Sequence, residues 1–442
     1  MQTEKEVPSE TATLRESQTA VDPGVLDNEK QVAQVAPPAI PDGGVVAWTT
    51  VAGAWLVLFC TFGYVNAFGV FEDYYSREYM TNKTSSDIAW VGSTQLCLQF
   101  AMGLVSGKLF DAGYFHTTIA AGSFIYTFCL FMLSLAKENQ YYQVFLPQAV
   151  GLGIGLGLLF LPSIGVISHH FRRRRALAMG IVTSGSSCGG IVFPIMLNKI
   201  FQRVGFAWGV RSTAFVVLAG FVAANLMMRT RLPPKSQRPP APPPDVKGII
   251  TDSAFQLAVA GSFLVMLGLF LPFFYLQLFS ITHGLDHNLA FYSLAILNAA
   301  SVFGRTVPNF VADKYGPLNL LIPCATISGI LIFAMFGVKS SSALIVFGLL
   351  YGFFSGAYIS LVSPVFVSLS RNMQEIGMRM GLAFFVLGFS ALTGTPIAGA
   401  LLSPRFDWWK PIMFSGIVVL AGAALLVAAR AVQVKRKGTS LV

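Results

Sequence analysis

The chain has 442 residues, 54% of them hydrophobic and only 11% charged, with a formal net charge of +10 and a positive mean hydropathy. So few charges cannot cover a globular surface, which excludes a water-soluble domain and implies a polytopic membrane protein. The basic excess does not point to nucleic acid, because its placement follows the loops of a membrane protein.

The first 40 or so residues are polar, acidic and rich in Thr, Ser, Pro and Glu, without an apolar core segment, so 1–40 is expected to be a disordered cytoplasmic tail and not a signal peptide. Apolar segments of about 20 residues then recur twelve times. They lie near 46–70, 88–107, 114–136, 143–167, 177–198, 208–228, 253–277, 288–312, 317–337, 342–366, 379–402 and 411–432. At that length helices satisfy their own backbone in lipid, so the fold class is an all-α membrane protein of twelve transmembrane helices.

The predicted organisation is a six-helix bundle over 41–228, a linker over 229–252, a second six-helix bundle over 253–432 and a cytoplasmic tail over 433–442. The linker holds Pro233-Pro234 and Pro242-Pro243-Pro244, which cannot be helical. The two bundles are two copies of one unit, offset by about 202 residues. Gly151 pairs with Gly352, Pro162 with Pro364, Gly180 with Gly381, Pro194 with Pro396 and Asp111 with Asp313. Parallel repeats of this kind are the plan of carriers that rock around a site at the bilayer midplane.

If both termini are cytoplasmic, Lys and Arg concentrate in the internal loops and C-terminal tail, as the positive-inside rule requires. The run Arg172, Arg173, Arg174 and Arg175 belongs to that set and is expected to meet anionic lipids and acidic loop partners, anchoring the fifth helix and closing the inner gate. Asn82-Lys83-Thr84 is a glycosylation sequon in the predicted external loop between the first two helices, which makes Asn82 the expected acceptor. Cys60, Cys97, Cys129, Cys188 and Cys324 fall inside predicted spans without metal-ligand spacing, so neither a metal site nor a disulfide framework is expected. Nor is there a nucleotide-binding loop or any other sign of a cofactor, and His169-His170, adjacent on a helix, do not make a catalytic pair.

Arg305 is the one charged side chain well inside an apolar segment, where a mid-membrane Arg costs about 2.5–3.5 kcal/mol on insertion scales and calls for a function. Asn298, Ser301 and Arg305 recur at i, i+3 and i+7, one helical face that is expected to point into the bundle. A guanidinium offers a forked pair of donors suited to a carboxylate. Gly151, Gly153, Gly155 and Gly157 are expected to let the fourth helix pack closely on its neighbours. Glu72, Asp73 and Asp87 lie near the outer helix ends and are expected to be solvated.

Pro41-Asp42-Gly43-Gly44 with Trp48, and Phe171-Arg172-Arg173-Arg174-Arg175-Ala176-Leu177-Ala178-Met179-Gly180, resemble the two signatures of the monocarboxylate porter family within the major facilitator superfamily. Asn66-Ala67-Phe68-Gly69 with Tyr74-Tyr75 is similar to its fungal branch. The resemblance implies that Arg305 binds a substrate carboxylate, with Ser301, Asn298 and Asn66 beside it. Gly107 to Gly113 resembles the superfamily's loop motif after helix 2, and Asp313-Lys314-Tyr315-Gly316 echoes it after helix 8. Asp111, Gly107 and Asp313 are therefore expected to stabilise one state of the rocking cycle, although Ala112 replaces a usual basic residue and weakens the first lock.

Animal monocarboxylate carriers place an aspartate and a lysine where Ser301 and Asn66 stand here, so the usual proton machinery is missing. The expected function is a secondary or facilitative transporter of the plasma membrane that moves an organic anion or acidic secondary metabolite, with efflux favoured. Its expected partners are that small molecule and membrane lipids, with no nucleic acid. Proton-linked uptake of a small monocarboxylate and a nutrient receptor are the alternatives.

Overall fold

The computed structural model describes residues 42–231, 245–371, 375–402 and 407–442; the predicted N-terminal tail and residues 232–244 of the linker lie outside the described residues. The first half begins with α1 (Val45–Tyr79), α2 (Asp87–Asp111), α3 (Phe115–Leu133) and α4 (Tyr141–His169). A helical run over Arg175–Met227 then turns back on itself at Gly205, whose φ of 76° is left-handed, giving α5 (175–204) and α6 (206–227). The second half consists of α7 (Ser253–Thr282), α8 (His287–Tyr315), α9 (Pro317–Gly337), α10 (Ser341–Ser368), α11 (Ile376–Leu402) and α12 (Trp409–Lys437).

Local chemistry sets the helix ends. Thr84 and Asp87 form a reciprocal capping box at the start of α2, and Asp252, Asp286 and Ser340 cap α7, α8 and α10. α1 extends to Tyr79, beyond the apolar window ending near 70, and α12 continues to Lys437, beyond the window ending near 432. The alternating glycines of α4 divide between two neighbours. Cβ atoms on Gly153 and Gly157 would press on α2 at Gln95 and Gln99, and those on Gly151 and Gly155 on α3 at Cys129 and Tyr126.

Among the described residues ten helical runs are long and apolar enough to cross a membrane, α5 and α6 counting as the one run Arg175–Met227, and α8 is not among them. α8 fails on composition because it is built inside out. Its polar residues Asn298, Ser301, Arg305 and Asn309 are buried, whereas Phe303, Val307 and Phe310 are exposed. That arrangement suits a helix with lipid outside and a polar seam inside.

The described chain starts and ends at one end of the bundle, called here the terminal end. There Asp42 meets the α4–α5 turn, and the Val442 carbonyl accepts hydrogen bonds from the N–H groups of Leu318 and Asn319 at the start of α9. The halves meet along two seams, α5 on α8 and α2 on α11. Between them Phe62, Phe100, Phe160, Phe384 and Phe366 pack edge to face in a chain of rings with neighbouring centroids 5.3–6.4 Å apart. This aromatic column joins the first half, through Phe62, Phe100 and Phe160, to the second, through Phe384 and Phe366.

Candidate functional site

Arg305 lies on the α5–α8 seam, 3% exposed. Its Nε donates to Ser301 Oγ on its own helix (3.1 Å), and its Nη1 crosses to α5, donating to the Thr183 carbonyl (3.1 Å) and to Ser186 Oγ (2.8 Å). Both hydrogens of Nη1 are thereby used. Nη2 has no hydrogen bond among the described residues, and no carboxylate among them pairs with Arg305. A guanidinium carries five donors, so one side of its fork is held by neutral groups and the other is unclaimed.

The predicted stripe stays together in space. Ser301 accepts a second hydrogen bond from Ser187 Oγ (3.1 Å), and below it Asn309 Nδ2 donates to the Arg305 carbonyl and to Ser360 Oγ on α10. Asn66 on α1 donates to the Ser186 carbonyl at 3.3 Å, so Asn66 and Arg305 meet through one serine and not directly. A Cβ on Gly190 would touch both Asn66 and Asn298, and the buried Asn298 Oδ1 is left without a partner. These three residues form a small polar floor between α1, α5 and α8.

Above the floor, toward the far end, the halves leave a cavity of about 330 Å³ lined by Asp73, Arg77, Asn198, Gln202, Gln277 and Phe291. A smaller pocket of about 40 Å³ continues down to Asn66, Gly190 and Leu294. Arg305 lies below that point, roughly 10 Å along α8 from Asn298 at 1.5 Å per residue. In this state the far-end cavity stops short of the arginine.

The terminal end is shut by two matching contacts. The Asp313 carboxylate at the end of α8 accepts from the N–H groups of Ala176 (2.7 Å) and Leu177 (2.9 Å) at the start of α5. Asp111 at the end of α2 does the same with Gly377 (2.9 Å) and Met378 (2.7 Å) at the start of α11. Each carboxylate therefore caps a helix N-terminus of the opposite half, where the helix dipole favours negative charge. Although Ala112 replaces the usual basic residue, Asp111 accepts two backbone hydrogen bonds across the seam just as Asp313 does. Gly107 serves the same contact, since a Cβ on it would overlap the Gly377 carbonyl.

Arg172, Arg173 and Arg174 expose their side chains, and the first two contribute through their backbone. Their N–H groups donate to Asp42 Oδ1 at 2.5 and 2.6 Å, while Trp48 packs edge-on against Phe171 with centroids 5.2 Å apart. The two signature segments are thus one contact. Burial alone would raise the Asp42 carboxyl, but the N–H groups of Arg172, Arg173 and Arg174 and the Arg173 charge hold it below its ordinary value. Arg175 is partly buried, with Nε on the Phe171 carbonyl at 3.3 Å. Asn82 is exposed in the α1–α2 loop, its amide 3.4 Å from the Asn139 carbonyl.

Two features escape a reading of the sequence. Thr183 and Ser186, which hold Arg305, come from the polar run Thr183-Ser184-Gly185-Ser186-Ser187 within an apolar segment, a signal visible in the sequence. Arg305 is also not the only buried arginine. Arg379, at the edge of the apolar segment 379–402, has no exposed surface and lies inside α11. It pairs with Asp252 (3.1 Å) and Glu375 (3.4 Å) and lies over the Phe255 ring, while Arg436 reaches the same Asp252 at 3.1 Å. Burial opposes ionisation of Asp252, but the hydrogen bonds from Arg379 and Arg436 outweigh it and hold the carboxyl below its ordinary value.

The Major Facilitator Superfamily model matches residues 54–316. The Aspyridones efflux protein of Emericella nidulans is 39% identical over 94% of this chain and 85% of its own length. The Agnestins efflux protein of Paecilomyces divaricatus is 38% identical over 96% of this chain and 94% of its own. Among solved structures, the human organic anion transporter MFSD10 superposes with a TM-score of 0.67 at 12% identity, covering 86% of this chain and 98% of that one. The E. coli fucose:proton symporter gives 0.65 at 14% identity with the same coverage. Those two likenesses concern the fold alone. The helical duplication, the paired caps across the seams and these relatives agree: the chain is a membrane transporter, not an enzyme, and belongs to the Major Facilitator Superfamily.

Proposed function

We propose that the chain is a monocarboxylate-porter-like efflux carrier of the plasma membrane that moves an acidic secondary metabolite by alternating access, with the terminal end in the cytoplasm. The observation that carries this reading is Arg305: a buried cation on the seam between the halves, with no carboxylate partner among the described residues and an unclaimed Nη2. An anion supplies the charge that the protein withholds. Ser301, Ser186, Asn298 and Asn66 surround it with hydroxyl and amide groups suited to the rest of a polar head. The phenylalanine column supplies an aromatic wall for a ring-bearing body.

The direction follows from what blocks access. From the far end, the floor of Asn66, Gly190 and Asn298 stands between cavity and guanidinium. From the terminal end, the barrier is the seam itself. When the Asp313 cap releases, α5 leaves α8 and takes Thr183 and Ser186 with it, freeing Nη1 at the moment the site opens to the cytoplasm. The anion and α5 compete for the same donors, so loading from the cytoplasm is favoured. The efflux names of the Aspyridones and Agnestins relatives support the same direction.

The test is export from yeast cells expressing the chain and offered a panel of carboxylated aromatic metabolites, read by mass spectrometry of cells and medium. Wild type is expected to lower the cell-to-medium ratio of its acidic substrate, and Arg305→Ala to lose at least about ten-fold of that export, which corresponds to 1.4 kcal/mol. Unchanged export by a membrane-localised Arg305→Ala would remove the arginine from the substrate site.

A further inference from the structure

A second cavity, of about 70 Å³, lies on the other side of α1. Phe68, Ser93 and Leu96 from the first half and Phe274, Tyr275 and Thr395 from the second line it, together with the Glu72 side chain. Glu72 is partly buried, and its carboxylate makes no hydrogen bond or ion pair among the described residues. Its neighbour Asp73 behaves differently, pairing with Arg77 at 2.7 Å on an exposed face. The sequence reading treats both as solvated mouth residues. The fold separates them, leaving one acid in water and the other in an apolar cleft between the halves.

The groups around Glu72 offer it no counter-charge. From α7 the one ionisable lining residue is Tyr275, whose hydroxyl donates to the Thr395 carbonyl at 3.4 Å. From α11 the cavity receives Thr395, and from α2 it receives Ala89, Gly92, Ser93 and Leu96, none of which ionises. Asp87, at the start of α2, is committed to the Thr84 capping box. On α1 the nearest charges are the paired Asp73 and Arg77. Closing the far end over Glu72 would enclose an unpaired carboxylate among phenylalanine and leucine, which is unfavourable until it is neutralised.

We propose that Glu72 is a proton-binding site that licenses closure of the far end. The proton passes from far-side water to a Glu72 carboxylate oxygen, the neutral acid is enclosed as α1 and α2 close on α7 and α11, and the same proton returns to water once the terminal end has opened. The inference rests on the transport reading and adds its energy source: a proton moves inward in exchange for an anion moving outward. Because Glu72 and Asn66 share α1 about 9 Å apart along the axis, one helix carries the proton on one side and borders the substrate path on the other. The site replaces the missing helix 1 lysine and helix 8 aspartate with a carboxylate at a different place.

Hydrogen–deuterium exchange of the whole chain in lipid nanodiscs, corrected for intrinsic rates and taken from about pH 8 to about pH 5, tests this without a substrate. In the wild type, far-end segments 68–79 and 271–282 are expected to gain protection as pH falls, while terminal-end segments 105–113 and 309–316 lose it. Glu72→Gln is expected to show the acid pattern at every pH, and Glu72→Asp to keep a titration with a displaced midpoint. A wild type without the pH response, or a Glu72→Gln that titrates like wild type, overturns the proposal. A chain that titrates as expected but exports nothing keeps the proton site and refutes the transport reading, whereas export with no titration does the reverse.

Discussion

Arg305 and Arg379 are the same side chain at nearly the same burial, and their surroundings assign them opposite work. Arg379 sits between two carboxylates, Asp252 and Glu375, contributed by the start of α7 and the start of α11, so its charge is spent on holding elements of one half together. Arg305 is held by hydroxyls and a carbonyl, and the groups it contacts on α5 belong to the opposite half. Burial alone therefore does not mark a functional charge. What marks it is whether the protein supplies the counter-charge, and whether the partners move relative to the residue during the cycle.

Arg379→Ala strands Asp252 and Glu375 without their shared cation and is expected to cost about 3–5 kcal/mol, read as a large fall in thermal midpoint in detergent, with Arg379→Lys in between. Arg305→Ala leaves only neutral partners behind, so its stability is expected within about 1 kcal/mol of wild type while export is lost. Equal destabilisation by the two alanine variants would make Arg305 a structural charge and end the distinction. Asp313→Asn and Asp111→Asn each weaken one cross-half cap by about 1 kcal/mol, which should appear as faster amide exchange at 175–179 and 376–380 respectively.

The smallest effect concerns pH. The folded Asp252 carboxyl lies below its ordinary value of 3.8, so its stabilisation is fully present above that value and fades as pH drops further, through the folded one. The stability gap between wild type and Asp252→Asn should therefore be flat from neutral pH to about 4 and narrow below it.

The twelve helices, the duplication and the α8 stripe were legible because each is written in local periodicity, and the same spacing that made Arg305 conspicuous placed it on the buried face. Arg379 was not legible. It falls at the edge of an apolar window, its partner Asp252 is far away in sequence, and a charge near a helix end looks like a loop residue until the fold brings that partner to it. Glu72 and Asp73 show the same limit at adjacent positions, since a difference of about 100° around a helix decides whether an acid meets water or the seam. The backbone roles of Arg172 and Arg173 were hidden for another reason, because sequence reports side chains and Asp42 reads main-chain N–H groups.

The glycine contacts of the α2–α11 seam bear on how readily this molecule changes state. Gly107 meets Gly377 and Gly103 meets Gly381 with their backbones close together, so little side-chain interlock holds the helices at these positions, while Phe100 and Phe384 stack across the same seam with centroids 5.7 Å apart. At the terminal end of that seam Asp111 accepts two hydrogen bonds of about 1.5–3 kcal/mol each, matched across the other seam by Asp313. Moving a two-state equilibrium from 1:99 to 99:1 takes about 5.5 kcal/mol of differential binding. The four bonds together, about 6–12 kcal/mol, are of the same order as that shift, so one bound anion and one bound proton must between them favour the open terminal end by a comparable amount for the carrier to be turned over by its cargo.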